Sequence, residues 1–253
     1  MLLSLTKGFN IKSRYPLYGL QLTNNMWANN GKTRPFFNLF VFLGFLIFYS
    51  SSIADSIKED RIYRIAIIGD SLTQGYGLLP NDNLVAQLQS RLARQNLSAE
   101  LLNFGVSGDT TAGGLERFDW NVDTDVSGVV IILGGNDLLR GIPPNHSYKN
   151  LKKMIIKAQN RSLPVLLVGM EASTNFGSDF KDNFDKIFRR LKTEHNVFYY
   201  ENFFHALSPD DVSLFVSYLQ ADGIHPNAEG VVKIVDDFYP TFRHFVNHIV
   251  SSH

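Results

Sequence analysis

Apolar positions along this chain follow two alternating rhythms. Short, unbroken apolar runs occupy Ile62 to Ile68, Ala99 to Phe104, Gly128 to Leu133, Pro164 to Gly169 and Val197 to Tyr200. Between them the apolar residues recur at helical spacing: Leu84, Val85, Leu88 and Leu92, then Leu151, Met154, Ile155 and Ala158, then Phe180, Phe184, Ile187, Phe188 and Leu191. The first rhythm belongs to strands covered on both faces, the second to helices that lay one face on a core. Asn81 or Asp82 stands ready to cap the first helix, and a closing helix begins near Ala228, entered through Pro226. Strands alternating with helices of this length predict a parallel sheet with helices on both sides. The fold class is therefore α/β, a single three-layer α/β/α domain on a five-stranded parallel sheet. No repeat, low-complexity tract or linker interrupts the chain after residue 60, so residues 55–253 form one domain.

The amino-terminal residues 1–54 differ in kind. They hold Lys7, Lys12, Arg14, Lys32 and Arg34 and no acidic residue. Lys32 and Arg34 precede Phe36 to Tyr49, an apolar run broken only by Asn38; Ser50-Ser51-Ser52-Ile53-Ala54 and a polar stretch follow. A charged region, a short apolar region and small residues at Ser52 and Ala54 describe a signal peptide. The apolar run is 14 residues, short of the roughly 20 that span a bilayer. The expectation is export, to a bacterial periplasm. The alternative is an uncleaved anchor that holds the domain at the inner membrane, facing the periplasm. Met26 competes with Met1 as the start, because the polar stretch before Lys32 is long for a leader.

The remaining 19 basic residues stand against 24 acidic ones, a balance of about −5. A mildly acidic body argues against a nucleic-acid partner, which needs a basic stripe. The absence of cysteine excludes disulfides, thiolate zinc sites, cysteine nucleophiles and lipoprotein anchoring through a cysteine.

Four segments carry candidate chemistry. Gly69-Asp70-Ser71-Leu72 directly follows the apolar run of Ile65 to Ile68, where open α/β sheets place their sites. Taken alone, a serine there is more often a turn or cap residue, and Ser107 in Gly105-Val-Ser-Gly108 has an equal claim to exposure. No Gly-x-Ser-x-Gly elbow occurs, which argues against an ordinary α/β-hydrolase. Gly108 and Asn136 fall just past predicted strands on the same sheet edge. A glycine N–H and an asparagine amide can both donate to a developing oxyanion, although Gly134-Gly135-Asn136 also reads as a tight turn. Of seven histidines, only His225 has a carboxylate three residues upstream, Asp222, and a proline behind it. A serine hydroxyl needs a base of near-neutral pKa, and an aspartate on the other ring nitrogen fixes the tautomer. As a metal site Asp222-x-x-His225 lacks a third ligand of suitable spacing, so neither metal nor cofactor is expected.

The order of these segments resembles that of the SGNH (GDSL) hydrolase family, in its bacterial thioesterase I/lysophospholipase and arylesterase branch. The carriers are Ile68-Gly-Asp-Ser-Leu-Thr-Gln-Gly-Tyr76, Asn103 to Thr110, Leu133-Gly-Gly-Asn-Asp137 with Arg140-Gly141, and Asp222-Gly-Ile-His-Pro-Asn227. The resemblance covers roughly Ile62 to the carboxyl terminus. It implies a flavodoxin-like fold, Ser71 as nucleophile, and His225 as base with Asp222 as its partner. It also implies an oxyanion hole made by the N–H groups of Ser71 and Gly108 and the amide of Asn136. The reaction implied is hydrolysis of acyl esters or thioesters through an acyl-serine, on small-molecule substrates and with transient contact to lipid. Two other readings of the same pattern are a carbohydrate O-deacetylase and a non-catalytic surface-binding domain. The apolar run Leu214 to Leu219 beside the base reads as core or as the wall of an acyl groove.

Overall fold

The computed structural model describes residues 61–207 and 212–252; the expected leader lies outside the described residues. Five strands form one parallel sheet: β1 (Tyr63–Gly69), β2 (Ala99–Gly105), β3 (Val126–Ile132), β4 (Val165–Val168) and β5 (Phe198–Tyr200). Their order is β2-β1-β3-β4-β5. The three inner strands are the continuous apolar runs. Ile65 to Ile68, Val129 to Leu133 and Leu166 to Val168 are fully buried, as strands with helices on both faces must be. The edge strand β2 exposes Glu100 and Asn103.

The helices are α1 (Ser71–Gln74), α2 (Leu84–Arg94), α3 (Thr111–Glu116), α4 (Phe118–Asn121), α5 (Gly135–Leu139), α6 (Pro144–Gln159), α7 (Ser178–His195), α8 (Val212–Ser217) and α9 (Ala228–Ser251). Each long helix buries the stripe that its periodicity marks: Leu84, Val85, Leu88 and Leu92 on α2, Leu151, Met154, Ile155 and Ala158 on α6, Phe184, Ile187, Phe188 and Leu191 on α7. On α9 the stripe runs from Val231 through Phe238, Phe242 and Phe245 to Ile249. α9 packs against α2, and α6 against α7. α9 lies so close to the sheet that a Cβ on Gly128 would come within 2.5 Å of the Ile249 side chain.

Three local expectations are corrected. Asn83, rather than Asn81 or Asp82, caps α2, its Oδ1 accepting the Ala86 N–H at 2.9 Å. The run Leu214 to Leu219 is not uniformly core: Tyr218 is buried and Phe215 and Leu219 half-buried, but Leu214 and Val216 are exposed on the short α8. β3 also starts earlier than expected, at Val126.

The chain runs from β1 outward to β2 and then crosses back to β3. A doubly wound sheet opens a crevice at such a reversal, above the carboxyl ends of its strands. Gly69, Gly105 and Ile132 end their strands at the same height. The loops that leave those ends carry Ser71, Gly108 and Asn136.

Candidate active site

Ser71 is the first residue of α1, with Asp70 as its N-cap. It is mostly buried, because α1 sits tightly on the ends of β1 and β2. Gly105 makes this possible: a Cβ there would lie 2.2 Å from the Gln74 nitrogen. The Ser71 Oγ is 2.7 Å from His225 Nε2, and His225 Nδ1 is 2.6 Å from Asp222 Oδ2. The three sequence-predicted triad residues therefore form one continuous hydrogen-bonded chain, although Ser71 and His225 are 154 residues apart.

Asp222 and His225 stand on a single hairpin. Its base is an antiparallel bridge between Leu219 and Pro226, closed by the Gln220 N–H on the His225 carbonyl at 2.7 Å and the Asn227 N–H on the Tyr218 carbonyl at 2.9 Å. Asn227 then caps α9, accepting the Gly230 N–H at 2.9 Å. The Gln220 amide donates to the carbonyls of both Tyr76 and Pro226, and the Tyr76 ring lies 4.7 Å from the His225 ring. The His225 ring is thus held from both sides, by its own hairpin and by the loop after α1.

Asp222 uses both oxygens. Oδ1 accepts the N–H groups of His225 and Ile224 at 3.0 and 2.9 Å, and Oδ2 faces the imidazole. These bonds, from the His225 backbone and ring and then from Ile224, hold its carboxyl at about 2. A carboxylate so depressed stays ionised across the working pH range and keeps its counter-charge beside the ring.

The oxyanion candidates converge on the same turn. Asn136 lies in α5, just past β3, and its Nδ2 donates to Asp70 Oδ2 at 3.2 Å. Gly108 has a left-handed φ of 81°, which a glycine adopts without strain. Its loop is pinned twice: the Gln74 Oε1 accepts the Ser107 N–H at 3.1 Å, and Arg140 donates to the Gly108 carbonyl at 2.8 Å. Among the described residues, the N–H groups of Ser71 and Gly108 donate to no acceptor. The rival nucleophile Ser107 donates to Gln74 instead, and among the described residues its hydroxyl meets no imidazole.

Three positioning groups escaped the reading of the sequence. Asp137 is buried and accepts from the Thr111 N–H and hydroxyl at 2.7 and 2.6 Å and from the Ser147 hydroxyl at 2.8 Å, tying α5 to α3 and α6. Its place in Gly134-Gly-Asn-Asp137 was the only signal. Arg117 donates from Nη2 to the Gly69 carbonyl at 2.8 Å, from Nη1 to the Phe104 carbonyl at 2.7 Å, and from Nε to Asp109 at 2.6 Å. One guanidinium so joins the carboxyl ends of β1 and β2 directly under the site. Asp70 is the third. Burial drives its carboxyl up to about 6, against the hydrogen bonds from Leu72 and Asn136. A carboxyl raised in the folded state binds its proton earlier than the unfolded chain does. The ionised form therefore costs stability as pH rises from about 4 through about 6, by roughly 3 kcal/mol at most.

Among the described residues, no three His, Asp or Glu side chains converge as a metal site. A groove of about 740 Å³ between α7 and the ends of β4 and β5 is lined by Glu171, Asp185, Arg189, Tyr199 and Glu201, and includes no triad residue.

A doubly wound α/β sheet with a Ser-His-Asp chain at its carboxyl edge is the framework of a serine hydrolase. Residues 67–232 match the GDSL-like Lipase/Acylhydrolase family, and the chain belongs to it. Esterase TesA of Pseudomonas aeruginosa is 32% identical over 183 residues, 71% of this chain and 87% of that protein. Thioesterase 1/protease 1/lysophospholipase L1 of Escherichia coli K12 is 28% identical over 83% of this chain and 93% of that protein. A crystal structure of TesA superposes with a TM-score of 0.66 at 31% identity, covering 72% of this chain and 99% of that one. The protein is accordingly a carboxylic ester hydrolase of the serine type, acting on small-molecule esters.

Arg117→Lys keeps a cation beside Asp109 but replaces a planar fork, whose separate nitrogens meet Asp109 and the two strand-end carbonyls, with a single nitrogen. Urea unfolding should show a loss of about 2 kcal/mol for this substitution. An unchanged unfolding midpoint would mean that the bracket under the site is not what holds β1 and β2 level.

Proposed function

We propose that Ser71 is the nucleophile, His225 the base, Asp222 its orienter, and the Ser71 and Gly108 N–H groups with the Asn136 amide the oxyanion hole. The observation that carries this is the unbroken chain from Ser71 Oγ to His225 to Asp222, at 2.7 and 2.6 Å; the Ser71 and Gly108 N–H groups, which donate to no acceptor among the described residues, support it. Ser71 Oγ attacks the acyl carbonyl while its proton passes to His225 Nε2. Collapse of the tetrahedral intermediate expels the alcohol or thiol, which takes that proton. Water, deprotonated by the same imidazole, then attacks the acyl-serine and frees the acid.

The substrates we infer are acyl esters and thioesters, lysophospholipids among them, in keeping with the activities named for the relatives. Tyr76 and Ile224 stand exposed next to His225, and α8, which leads into the His225 hairpin, exposes Val212 and Val216. An apolar mouth favours an acyl chain and a transient contact with lipid over the polar glycan of a deacetylase. A binding module would have no need of an aligned triad. The domain works outside the cytoplasm, in the periplasm, after removal of residues 1–54; the supporting feature is the acid-free leader with its small residues at Ser52 and Ala54.

Three tests apply. Hydrolysis of p-nitrophenyl esters from acetyl to palmitoyl should be blocked by an organophosphate, with the adduct found on Ser71 by mass spectrometry. Asn136→Ala should lower kcat by about 10²-fold with little change in KM. An adduct on Ser107, or full activity in Ser71→Ala, would sink the assignment. Activity measured from pH 5 to 9 should show no loss assignable to Asp222, which is held at about 2 and stays ionised throughout. It should survive EDTA; loss on chelation, restored by zinc or manganese, contradicts the serine mechanism. Amino-terminal sequencing of the exported protein should begin near Asp55, and recovery of the intact leader in the membrane fraction supports the anchor instead.

A further inference from the structure

Asp70 is a buried carboxyl that the reaction sequence above does not use. It is 1% exposed, immediately precedes Ser71, and each of its oxygens accepts one bond: Oδ1 from the Leu72 N–H at 3.0 Å, Oδ2 from Asn136 Nδ2 at 3.2 Å. Capping α1 does not explain an aspartate here. Asparagine or serine caps a helix about as well and brings no charge into the interior. Burial does raise this carboxyl, so the cap is obtained at a cost to stability.

The asparagine at the other end of the bond supplies the explanation. A carboxamide has a donor end and an acceptor end of nearly the same shape, and a half-turn exchanges them. Only the donor end helps an oxyanion; the acceptor end repels it. A carboxylate is an acceptor on every side, so it pairs only with the NH₂ end of the amide. We propose that Asp70 is a positioning residue which takes one of the two Asn136 amide hydrogens and thereby fixes the other toward the oxyanion formed at Ser71. This rests on the oxyanion role proposed above for Asn136. Asp70 does for the amide what Asp222 does for the imidazole: each carboxylate selects the orientation of an otherwise ambiguous side chain.

Asp70→Asn is the direct test. The new amide still accepts from Leu72 but presents NH₂ to Asn136, which must then turn its oxygen toward Asp70's position or lose its partner. Steady-state hydrolysis of p-nitrophenyl butyrate at pH 8 is measured for wild type, Asp70→Asn, Asn136→Ala and the double variant, with a thermal melt of each. Asp70→Asn should lower kcat by about 10²-fold and leave KM within about twofold. In the Asn136→Ala background the same change should cost less than about threefold, because the two act as a unit. The melting temperature of Asp70→Asn should equal or exceed that of wild type, since a buried charge is removed; a purely structural role would lower it.

Normal kcat in Asp70→Asn with impaired Asn136→Ala overturns the inference and leaves the oxyanion assignment standing. Equal losses in both backgrounds also overturn it, since Asp70 would then act independently of Asn136. Full activity in Asn136→Ala removes the oxyanion assignment and the inference together. If Asp70→Asn does not fold, Asp70→Ser, which retains a cap, is put through the same cycle.

Discussion

The 2.7 Å contact between Ser71 and His225 sets the terms for the rest of the molecule. A proton moves between two heavy atoms only when they sit within hydrogen-bond reach, and here the chain between them spans 154 residues. Neither residue is near enough in sequence to be placed by local geometry. The sheet must therefore act as a ruler. β1 is buried along nearly its whole length and ends at a fixed height, so the turn after it starts from a rigid point. α9 is pressed onto β3 at Gly128, and the hairpin that carries His225 is tied to the start of α9 through Asn227. Much of the apolar core serves to keep those two anchor points at one separation.

The three aspartates around the site show how surroundings decide what a carboxyl does. Asp222 is open to solvent and collects two N–H groups as well as the ring, so its charge is cheap. Asp137 is sealed in but surrounded by an N–H and two hydroxyls, so its lone pairs are satisfied where it joins three helices. Asp70 is equally sealed, and among the described residues its hydrogen bonds from other residues come only from the Leu72 N–H and the Asn136 amide. Burial without enough donors is the condition under which a carboxyl resists ionisation.

Much of this arrangement was legible in the sequence, and the omissions have physical causes. The inner strands were plain because double-sided burial leaves uninterrupted apolar runs, and the long helices because their stripes persist for several turns. α1, α3, α4 and α5 were not, being only four to six residues long, too short for a period to register. Asn81, Asp82 and Asn83 are chemically near-equivalent as caps; only the position of Leu84 as the first helical residue separates them. Ser71, Asn136, Asp222 and His225 were legible because each sits in a compact motif. Arg117 was silent because it holds a strand-end carbonyl 48 residues away, which no local pattern announces; Gln74 and Arg140 stand inside or beside the motifs, but nothing local shows that they hold backbone atoms 33 and 32 residues away. α8 misled for the opposite reason: an apolar composition resembles core until one sees that the helix is too short to be covered on all sides.

The single hairpin that carries both Asp222 and His225 makes them one unit rather than two independent parts. Any excursion of that hairpin carries imidazole and carboxylate together, so their mutual contact survives while the contact to Ser71 breaks. Loosening of the contacts to Tyr76 alone would therefore part the Asp222–His225 pair from Ser71 without parting the pair itself, an uncoupling of two halves rather than the destruction of either, and one that reverses when the hairpin settles back against Tyr76.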